Sequence, residues 1–335
     1  MRITVCGGGN MGHVCAGFLS SCKDNEVSLL TTHPERWGRQ LSVRDCNGRE
    51  YKGEIRHISS SPEEVIPEAD IILLCLPGFA VHDVLLRISP FLSRETWVGT
   101  VVSSTGFFFE AMKLLPSSQP LFGFQRVPFI SRIVEYGHSA VLKGYKKTLR
   151  LAVEHIAEKE TIRLKLEKLF NTSVVLLDSY YEASLSNSNP LLHTARLYTM
   201  WKDWAPGVVY EKNPGFYSEW TIEAAQLLIE MDEEFQRLLY KLGLKEGSIP
   251  SVLDYYESSD AVTLRNKISS ITAFKDISSP MIRTDNGYEP DFTSRYFTED
   301  FPFGLRFIVE TAEKNGVDVV LLRKVYEWGM SRIRN

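Results

Sequence analysis

The first third of the chain alternates short apolar runs with longer stretches in which apolar residues recur every three or four positions. Four runs have the length and composition of buried strands, at residues 2–6, 26–31, 70–76 and 96–103. Strands covered on both faces read as continuous apolar runs, and the amphipathic stretches between them supply the covering helices. This alternation predicts a doubly wound parallel sheet.

The sheet is expected to include more than these four strands. Residues 42–55 contain Asn47-Gly48, a pair favoured in two-residue type I′ turns, which predicts an inserted β-hairpin that decorates the parallel core. Two further strands are predicted at 148–153 and 173–177, flanking a helix at 159–170. The sheet domain is therefore expected to end near Asp178.

Beyond Asp178 the apolar period becomes that of α-helices. The clearest case is residues 219–242, where seven apolar residues form one face and Gly243 follows as the C-terminal stop. Other helices are predicted from Pro190, with Asn189 as the N-cap, and at residues 302–314. Residues 245–289 show no regular period. The second half is predicted to be all-α.

A glycine motif follows the first predicted strand directly. Residues 7–12 read Gly-Gly-Gly-Asn-Met-Gly, which satisfies G-x-G-x-x-G and precedes a helical stretch. In such a motif Gly7 permits the tight turn, Gly9 lets a pyrophosphate approach the backbone, and Gly12 allows close packing of helix on strand. The amides of Asn10 and Met11 would belong to the anion-binding helix N-terminus.

A lone glycine motif is weak evidence, but the strand before it and the helix after it are the context that a dinucleotide requires. We therefore predict an α/β plus all-α protein. An N-terminal Rossmann domain, a doubly wound sheet that binds NAD or NADP, occupies residues 1–178. A C-terminal helical substrate domain occupies residues 179–335.

The end of the second strand favours NADP over NAD. An acid that accepts hydrogen bonds from the ribose is usual there, whereas this chain has Thr31, Thr32, His33 and Arg36. These side chains offer hydrogen bonds and positive charge where a 2′-phosphate would lie. Alternatively, Arg36 is a solvated surface residue and the cofactor is NAD.

Loops after two further strands are candidate cofactor contacts. Pro77 and Gly78 follow the third predicted run and Thr105 follows the fourth. In an open parallel sheet the ligand crevice lies beyond the carboxyl ends of the strands, so both loops are expected to face the cofactor. Ordinary turn residues without a ligand are the alternative.

Composition and charge limit the classes of partner that this protein is expected to bind. The net charge is −4, with 24% charged residues of both signs along the chain, which gives no electrostatic footprint for nucleic acid or an anionic membrane. All five cysteines lie in the first quarter without metal-binding spacing, so they are expected to be reduced and mostly buried. No secretory signal or membrane-spanning run is apparent, which favours a cytoplasmic enzyme, with a homodimer as one option.

Two motifs in the second half carry a resemblance. With the glycine motif, Asn-Pro-Leu-Leu-His at 189–193 and Arg-Tyr-Phe-Thr-Glu-Asp-Phe-Pro at 295–302 resemble the octopine/nopaline (opine) dehydrogenase family over nearly the whole chain. Residues 127–133 match that family more loosely. The resemblance implies a helical domain similar to that of 6-phosphogluconate dehydrogenase and the reductive condensation of an amino acid with an α-keto acid.

The resemblance also assigns roles to residues. His193 and Asp300 match the family's catalytic pair, and Arg295 and Asn189 match its substrate-binding positions. A carboxylate beside the imidazole would fix its tautomer and support proton exchange near neutral pH. Without the resemblance, His193 would be interpreted as a packing residue and Asp300 as a helix N-cap.

Other interpretations stay open. A lysine acid/base would favour a ketopantoate or hydroxyacid reductase on the same architecture. No lysine of the His193 segment demands that role, although Lys202 lies on a compatible helix. A non-catalytic dinucleotide sensor is a third alternative. The aromatic segments at 200–204 and 216–220 are expected to pack in the core, although they could line a substrate cleft. Hydride transfer requires no metal, and none is expected.

Overall fold

The computed structural model describes residues 1–333. The chain forms two compact units, the first spanning Met1–Ser186 and the second beginning at Asn187. The division thus falls after the predicted boundary at Asp178. The reason is a short helix at Tyr180–Leu185, whose Glu182 carbonyl accepts a hydrogen bond from Gln125 and whose Ala183 is buried in a core of the first unit.

The first unit combines one sheet with short helices. Its strands are β1 (Arg2–Cys6), β2 (Glu26–Leu30), β3 (Gln40–Asp45), β4 (Glu50–Ser59), β5 (Ile71–Leu74), β6 (Trp97–Thr100), β7 (Leu121–Phe124), β8 (Phe129–Glu135), β9 (Ser139–Tyr145), β10 (Thr148–Glu154) and β11 (Ser173–Leu176). Its helices are α1 (Asn10–Ser20), α2 (Pro62–Val65), α3 (Gly78–Ile88), α4 (Phe107–Leu114), α5 (Lys159–Phe170) and α6 (Tyr180–Leu185).

The strand order is β11-β10-β7-β6-β5-β1-β2-β4-β3-β9-β8. The central strands from β7 to β4 are all parallel, as the doubly wound prediction requires. Alternate residues of a strand point to opposite faces, and Ile71 and Leu73 enter one core while Ile72 and Leu74 enter the other. The predicted sheet with helices on both faces is confirmed.

The hairpin at β3 and β4 corrects two expectations. It is a part of the sheet rather than a decoration, because β4 pairs with β2 in parallel. Its turn is not type I′, since only Gly48 of the Asn47-Gly48 pair has a positive φ. The Asp45 carboxylate accepts from the amides of Asn47 and Arg49, which stabilises a three-residue loop that ends in the left-handed Gly48.

A second hairpin, β8–β9, lies at the edge of the sheet and was missed by the sequence pattern. Ile130 and Val134 of β8 are exposed, so the strand lacks the clean alternation of a half-buried strand. The cysteines agree with the expectation: all five are free, and Cys6, Cys15 and Cys75 are buried.

The second unit is mainly helical. Its helices are α7 (Asn189–Trp201), α8 (Ile222–Lys241), α9 (Val252–Tyr255), α10 (Ala261–Ser270), α11 (Arg295–Thr298), α12 (Arg306–Lys314) and α13 (Val320–Ile333). A π-helical turn spans Phe301–Leu305, and the hairpin β12 (Met281–Thr284) and β13 (Gly287–Pro290) occupies part of the segment that had no periodic pattern.

Helix ends in this unit follow local hydrogen bonding. Thr221 caps α8 by accepting from the amide of Ala224, and the buried Glu234 carboxylate accepts from the amides of Leu321 and Leu322 at the start of α13. Between residues 1 and 333, the helices include no candidate with the length and apolar character of a membrane span.

Candidate active site

His193 lies in the second turn of α7, buried at 7% exposure. The helix begins one residue earlier than expected: Ser188, not Asn189, is the N-cap, and its carbonyl accepts from the amide of Leu192. Asn189 therefore belongs to the first turn. Pro190 suits this position because the first amides of a helix have no intrahelical partner.

Asp300 reaches α7 through a close backbone contact. It immediately precedes the π-helical turn, where the Leu305 amide donates to the Asp300 carbonyl. A Cβ on Gly304 would lie 2.5 Å from Cγ of Pro190, so glycine is what allows this turn to pack on the start of α7. Asp300 stands at the N-cap position of this turn, as the alternative expected, but its side chain makes no cap bond, so the carboxylate is free to bind His193.

The two predicted acid/base residues form a hydrogen-bonded pair. Nδ1 of His193 lies 2.8 Å from Oδ2 of Asp300, although the residues are 107 positions apart. A carboxylate can only accept, so Nδ1 carries the proton, and in a neutral ring the lone pair would lie on Nε2. The side chain of Asp300 is only 15% exposed, and water screens the pair weakly.

Tyr217 completes this constellation. Its hydroxyl lies 2.7 Å from Nε2 of His193 in a buried position. Desolvation by burial raises the pKa of Tyr217 above its ordinary value. The sequence placed Tyr217 within an aromatic segment without distinguishing it from its neighbours, and no local pattern marks its hydroxyl as a partner of the histidine.

Arg295 occupies the same segment as Asp300 but is largely exposed. Its Nε and one terminal nitrogen bind the two oxygens of Glu299, both at 2.8 Å. The hydrogen bond with Glu299 raises the pKa of Arg295. A substrate carboxylate would have to replace Glu299 on this side of the guanidinium or bind the opposite edge. Asn189 is also exposed, and its amide N–H bonds the side chain of Asn187.

The glycine motif has the geometry that a pyrophosphate needs. Gly7 has φ of +119°, and a Cβ on Gly12 would lie 1.8 Å from the carbonyl oxygen of Gly7, so both positions require glycine. A Cβ on Gly9 would meet nothing within 4 Å, and Gly9 caps α1 without any side-chain hydrogen bond. The first amides of α1 are therefore available to an anion.

The glycine loop is held in place by the side chains of three residues that follow it, Asn10, Met11 and His13. Oδ1 of Asn10 accepts a hydrogen bond from the amide of Ile133, and the side chain of Met11 packs against the core. Because both side chains are engaged in this way, the predicted cofactor contacts of Asn10 and Met11 would be made by their backbone amides. His13 is buried and bridges the Gly9 carbonyl and the Gly137 amide. Because Nε2 accepts from Gly137, the ring is neutral, and desolvation by burial lowers its pKa.

The residues after β2 lie beside the glycine motif in the same unit. Thr31 has a buried hydroxyl without a hydrogen-bond partner, and a Cβ on Gly8 would lie 2.7 Å from it. Thr32 and His33 are exposed, and His33 contacts Glu35 at 3.4 Å. The guanidinium of Arg36 stacks over the Tyr136 ring at 4.1 Å, so Arg36 is anchored by a cation–π contact.

Pro77, Gly78 and Thr105 follow the carboxyl ends of β5 and β6, at the same sheet edge as the glycine motif. Pro77 caps α3, which begins at Gly78, and the Thr105 hydroxyl donates to the carbonyl of Val102 at 3.0 Å. Their location agrees with the crevice rule for parallel sheets. Their roles stay predictions.

The first unit fits a dinucleotide. An open position at Gly9, uncapped helix amides and the unpartnered buried hydroxyl of Thr31 lie together at the carboxyl edge of the sheet. Such a set can hold a pyrophosphate and an adjoining ribose.

Each of the two units of the chain contains a match to a known protein family. Residues 176–332 match the family model described as NAD/NADP octopine/nopaline dehydrogenase, alpha-helical domain, and residues 3–120 match that of ketopantoate reductase PanE/ApbA. Tauropine dehydrogenase from Arabella iricolor is 28% identical, with 97% of this chain and 90% of that protein covered.

Solved structures give the same result. Octopine dehydrogenase with NADH and L-arginine superposes with a TM-score of 0.87 and 25% identity, covering 100% of this chain and 90% of that one. Yersinopine dehydrogenase with NADP⁺ bound shares the fold, with a TM-score of 0.75, 14% identity and coverage of 100% and 91%. Residues 176–332 thus match the α-helical domain of the octopine/nopaline dehydrogenase family, and over nearly its whole length the chain is similar to tauropine and octopine dehydrogenases.

Proposed function

We propose that this protein joins an amino acid to an α-keto acid through an imine and reduces that imine, with His193 and Asp300 as its acid/base pair. The observation that carries the proposal is the 2.8 Å bond between them, which unites the two helical motifs characteristic of the family. Octopine dehydrogenase, which this chain resembles, has been solved with NADH and L-arginine and with NADH and pyruvate.

The pair suits the proton transfers of imine formation. Asp300 holds the His193 proton on Nδ1, so Nε2 is the atom that exchanges protons. As a base it takes a proton from the attacking amine, and as an acid it returns one to the hydroxyl that leaves as water. The bound nicotinamide supplies the hydride. Asp300 stabilises the imidazolium between these steps.

We propose that Arg295 binds a substrate carboxylate. A guanidinium fork matches the two oxygens of a carboxylate, as its present contact with Glu299 illustrates. Asn189, in the first turn of the helix that carries His193, is proposed as a further polar contact to the substrate.

For the cofactor we propose NADPH in preference to NADH. Arg36 and His33 follow β2, where Thr31 and not an acid comes directly after the strand, and the stacked Arg36 offers a preorganised charge for a 2′-phosphate. Titration of both cofactors at fixed salt tests this. Arg36→Ala should weaken NADPH binding about tenfold and leave NADH binding nearly unchanged. An NADH preference in the unmodified protein would contradict the assignment.

The reductase alternative has less support. The ketopantoate reductase match covers residues 3–120, in the cofactor-binding unit alone. Lys202, the candidate lysine, follows the end of α7 and pairs with Glu223 at 2.6 Å. Within the described residues, neither Lys202 nor Glu223 is hydrogen-bonded to His193 or Asp300.

Oxidation of NADPH and NADH against a matrix of α-keto acids, with and without amino acids, tests the proposed function. We expect turnover that requires both substrates. Oxidation by a keto acid at the same rate without any amine would identify a hydroxyacid-type reductase. Mass spectrometry of the product separates the two outcomes, because only the proposed reaction gives a secondary amine.

A further inference from the structure

The turn of the β8–β9 hairpin is attached to the start of α1, far from it in sequence. The amide of Ile133 donates to Oδ1 of Asn10, and the amide of Gly137 donates to Nε2 of His13, both at 2.8 Å. These two pairs are 123 and 124 positions apart along the chain. The hairpin backbone therefore lies directly beside the glycine motif.

The same turn packs on the segment that follows β2. The amide of Gly38 donates to the carbonyl of Gly137 at 3.1 Å. Gly137 has φ of +77°, and a Cβ there would lie 2.0 Å from the carbonyl oxygen of Arg36. Only glycine permits so close an approach in this conformation. The hairpin turn is thus built to fit against the backbone that carries the candidate ligands of a 2′-phosphate.

Tyr136 is the residue of this turn whose side chain reaches both the glycine motif and Arg36. A Cβ on Gly8 would lie 2.8 Å from the Tyr136 hydroxyl oxygen and 2.7 Å from Oγ1 of Thr31. The guanidinium carbon of Arg36 lies 4.1 Å from the centroid of the Tyr136 ring. One side chain of the hairpin therefore contacts two parts of the predicted cofactor site.

The Tyr136 ring is itself held by aromatic neighbours. His13 packs edge-on against it with centroids 4.9 Å apart, and Trp37 does so at 5.7 Å. The rings of His13 and Trp37 are buried and lie 4.0 Å from each other. Tyr136 is partly buried against the core of the first unit. Arg36 consequently stacks on a ring whose position is fixed.

This stack leaves the charge of Arg36 open to a ligand. Arg36 is exposed, and within residues 1–333 its guanidinium makes no ion pair with a carboxylate, since the neighbouring Glu35 contacts His33. A stacked guanidinium uses its face for the ring and keeps its N–H donors, which lie in its plane, for a phosphate. Stacking also reduces the rotamer freedom that a long exposed side chain would lose when a phosphate binds.

We propose that Tyr136 is a positioning residue of the cofactor site. Its ring holds the Arg36 guanidinium ready for the 2′-phosphate of NADPH and thereby determines the preference for NADPH over NADH. This inference rests on the NADPH preference proposed above. Selectivity at this end of a Rossmann domain usually depends on the residues after the second strand. Here the distant β8–β9 hairpin contributes to it, because NADH has no 2′-phosphate for Arg36 to bind.

The first test measures the Kd of NADPH and of NADH by fluorescence titration at fixed salt, without turnover. Tyr136→Leu removes the ring and should raise the Kd of NADPH about two- to fivefold, the scale of one cation–π contact, with an unchanged Kd for NADH. Tyr136→Phe keeps the ring and should retain the ratio of the unmodified protein. A merely structural role of Tyr136 would instead weaken both cofactors alike in Tyr136→Leu.

The second test is a double-mutant cycle. Because Tyr136 acts through Arg36, Tyr136→Leu should add little to the loss of NADPH affinity that Arg36→Ala already causes. Arg49→Ala is the matched control, since Arg49 stacks over Tyr51 at 4.8 Å. Arg49 precedes β4, whose opposite end pairs with the end of β2, so it lies away from the glycine motif. This variant should change neither Kd.

The outcomes separate this inference from the cofactor proposal on which it rests. An NADH preference in the unmodified protein would contradict both. An NADPH preference that persists unchanged in folded Tyr136→Leu, or losses that multiply in the double variant, would overturn the role of Tyr136 alone. If Tyr136→Leu fails to fold, NMR of the arginine Nε–H groups tests the stack in the unmodified protein. The resonance that disappears in Arg36→Ala should be shifted upfield by the ring, and an unshifted resonance would overturn the inference.

Discussion

Gly9→Ala offers a sharp test of the cofactor site because a methyl group there should alter binding without altering the fold. Gly9 has φ of −83° and ψ of −172°, a conformation open to alanine, and the new Cβ would meet nothing within 4 Å. Alanine is a poorer N-cap than glycine by up to about 1 kcal/mol. Restricting the unfolded chain returns about 0.4–1 kcal/mol. The net change is at most about 1 kcal/mol, so the Tm should change by no more than about 4 °C.

Cofactor binding should respond far more strongly. The methyl group would occupy the space through which a pyrophosphate approaches the helix amides. Losing one charge-assisted hydrogen bond costs about 1.5–3 kcal/mol, which raises the Kd for NADPH by roughly 10- to 150-fold. Fluorescence titration with NADPH measures this change, and thermal unfolding of the same sample checks the fold.

Two glycine variants serve as controls. Gly144→Ala in β9, where a Cβ would lie 3.4 Å from Ile130, should change neither binding nor stability appreciably. Gly12→Ala should destabilise the first unit by about 1–3 kcal/mol or more, a fall in Tm of roughly 2–12 °C, because its Cβ would overlap the carbonyl of Gly7. Wild-type NADPH affinity in a folded Gly9→Ala protein would refute the assignment of the glycine motif to the cofactor.

Three further variants test other parts of the account. Arg295→Lys keeps the positive charge but loses the planar guanidinium fork that matches a carboxylate. The KM for the acidic substrate should therefore rise about tenfold while the cofactor Kd stays constant. Unchanged kinetics would show that Arg295 does not bind the substrate. Burial lowers the pKa of His13, so the unfolded chain binds more protons as pH falls below about 6.5, and stability should decrease there. Denaturant unfolding at pH 7.5 and 5.5 measures the free energy of unfolding, and its decrease between the two pH values should be smaller in His13→Gln than in the unmodified protein. An equal decrease in both proteins would contradict the role assigned to His13. Glu234→Ala should cost about 1–3 kcal/mol, seen as a lower denaturation midpoint, because the amides of Leu321 and Leu322 lose their acceptor.

Much of the fold could be predicted from local sequence because its signals are local. The strand at Arg2–Cys6 and the helix at Lys159–Phe170 have the bounds that their apolar patterns indicate. The pairing of β4 with β2 could not be predicted in this way, since strand order depends on contacts between distant segments. The exposed outer residues of β8 likewise gave no strand pattern.

In the candidate active site, too, the features that are local in sequence could be predicted and the contacts between distant residues could not. The glycine motif is continuous in sequence, and its strand and helix context sufficed. The contact between His193 and Asp300 links residues far apart, and only the family resemblance pointed to it. Tyr217 had no such pointer: its neighbours Phe216 and Trp220 are buried aromatics as well, and what distinguishes it is the direction of one hydroxyl.

The acid/base pair is the central claim, and the turnover number of a double-mutant cycle tests it most directly. With an amino acid and an α-keto acid that support turnover, His193→Ala and Asp300→Asn should each lower kcat about 100-fold or more, in a protein that is still folded and binds the cofactor with unchanged Kd. The double variant should lose little further, because residues that act as one unit are strongly non-additive. Near-normal kcat in folded His193→Ala, or losses that multiply in the double variant, would contradict the account.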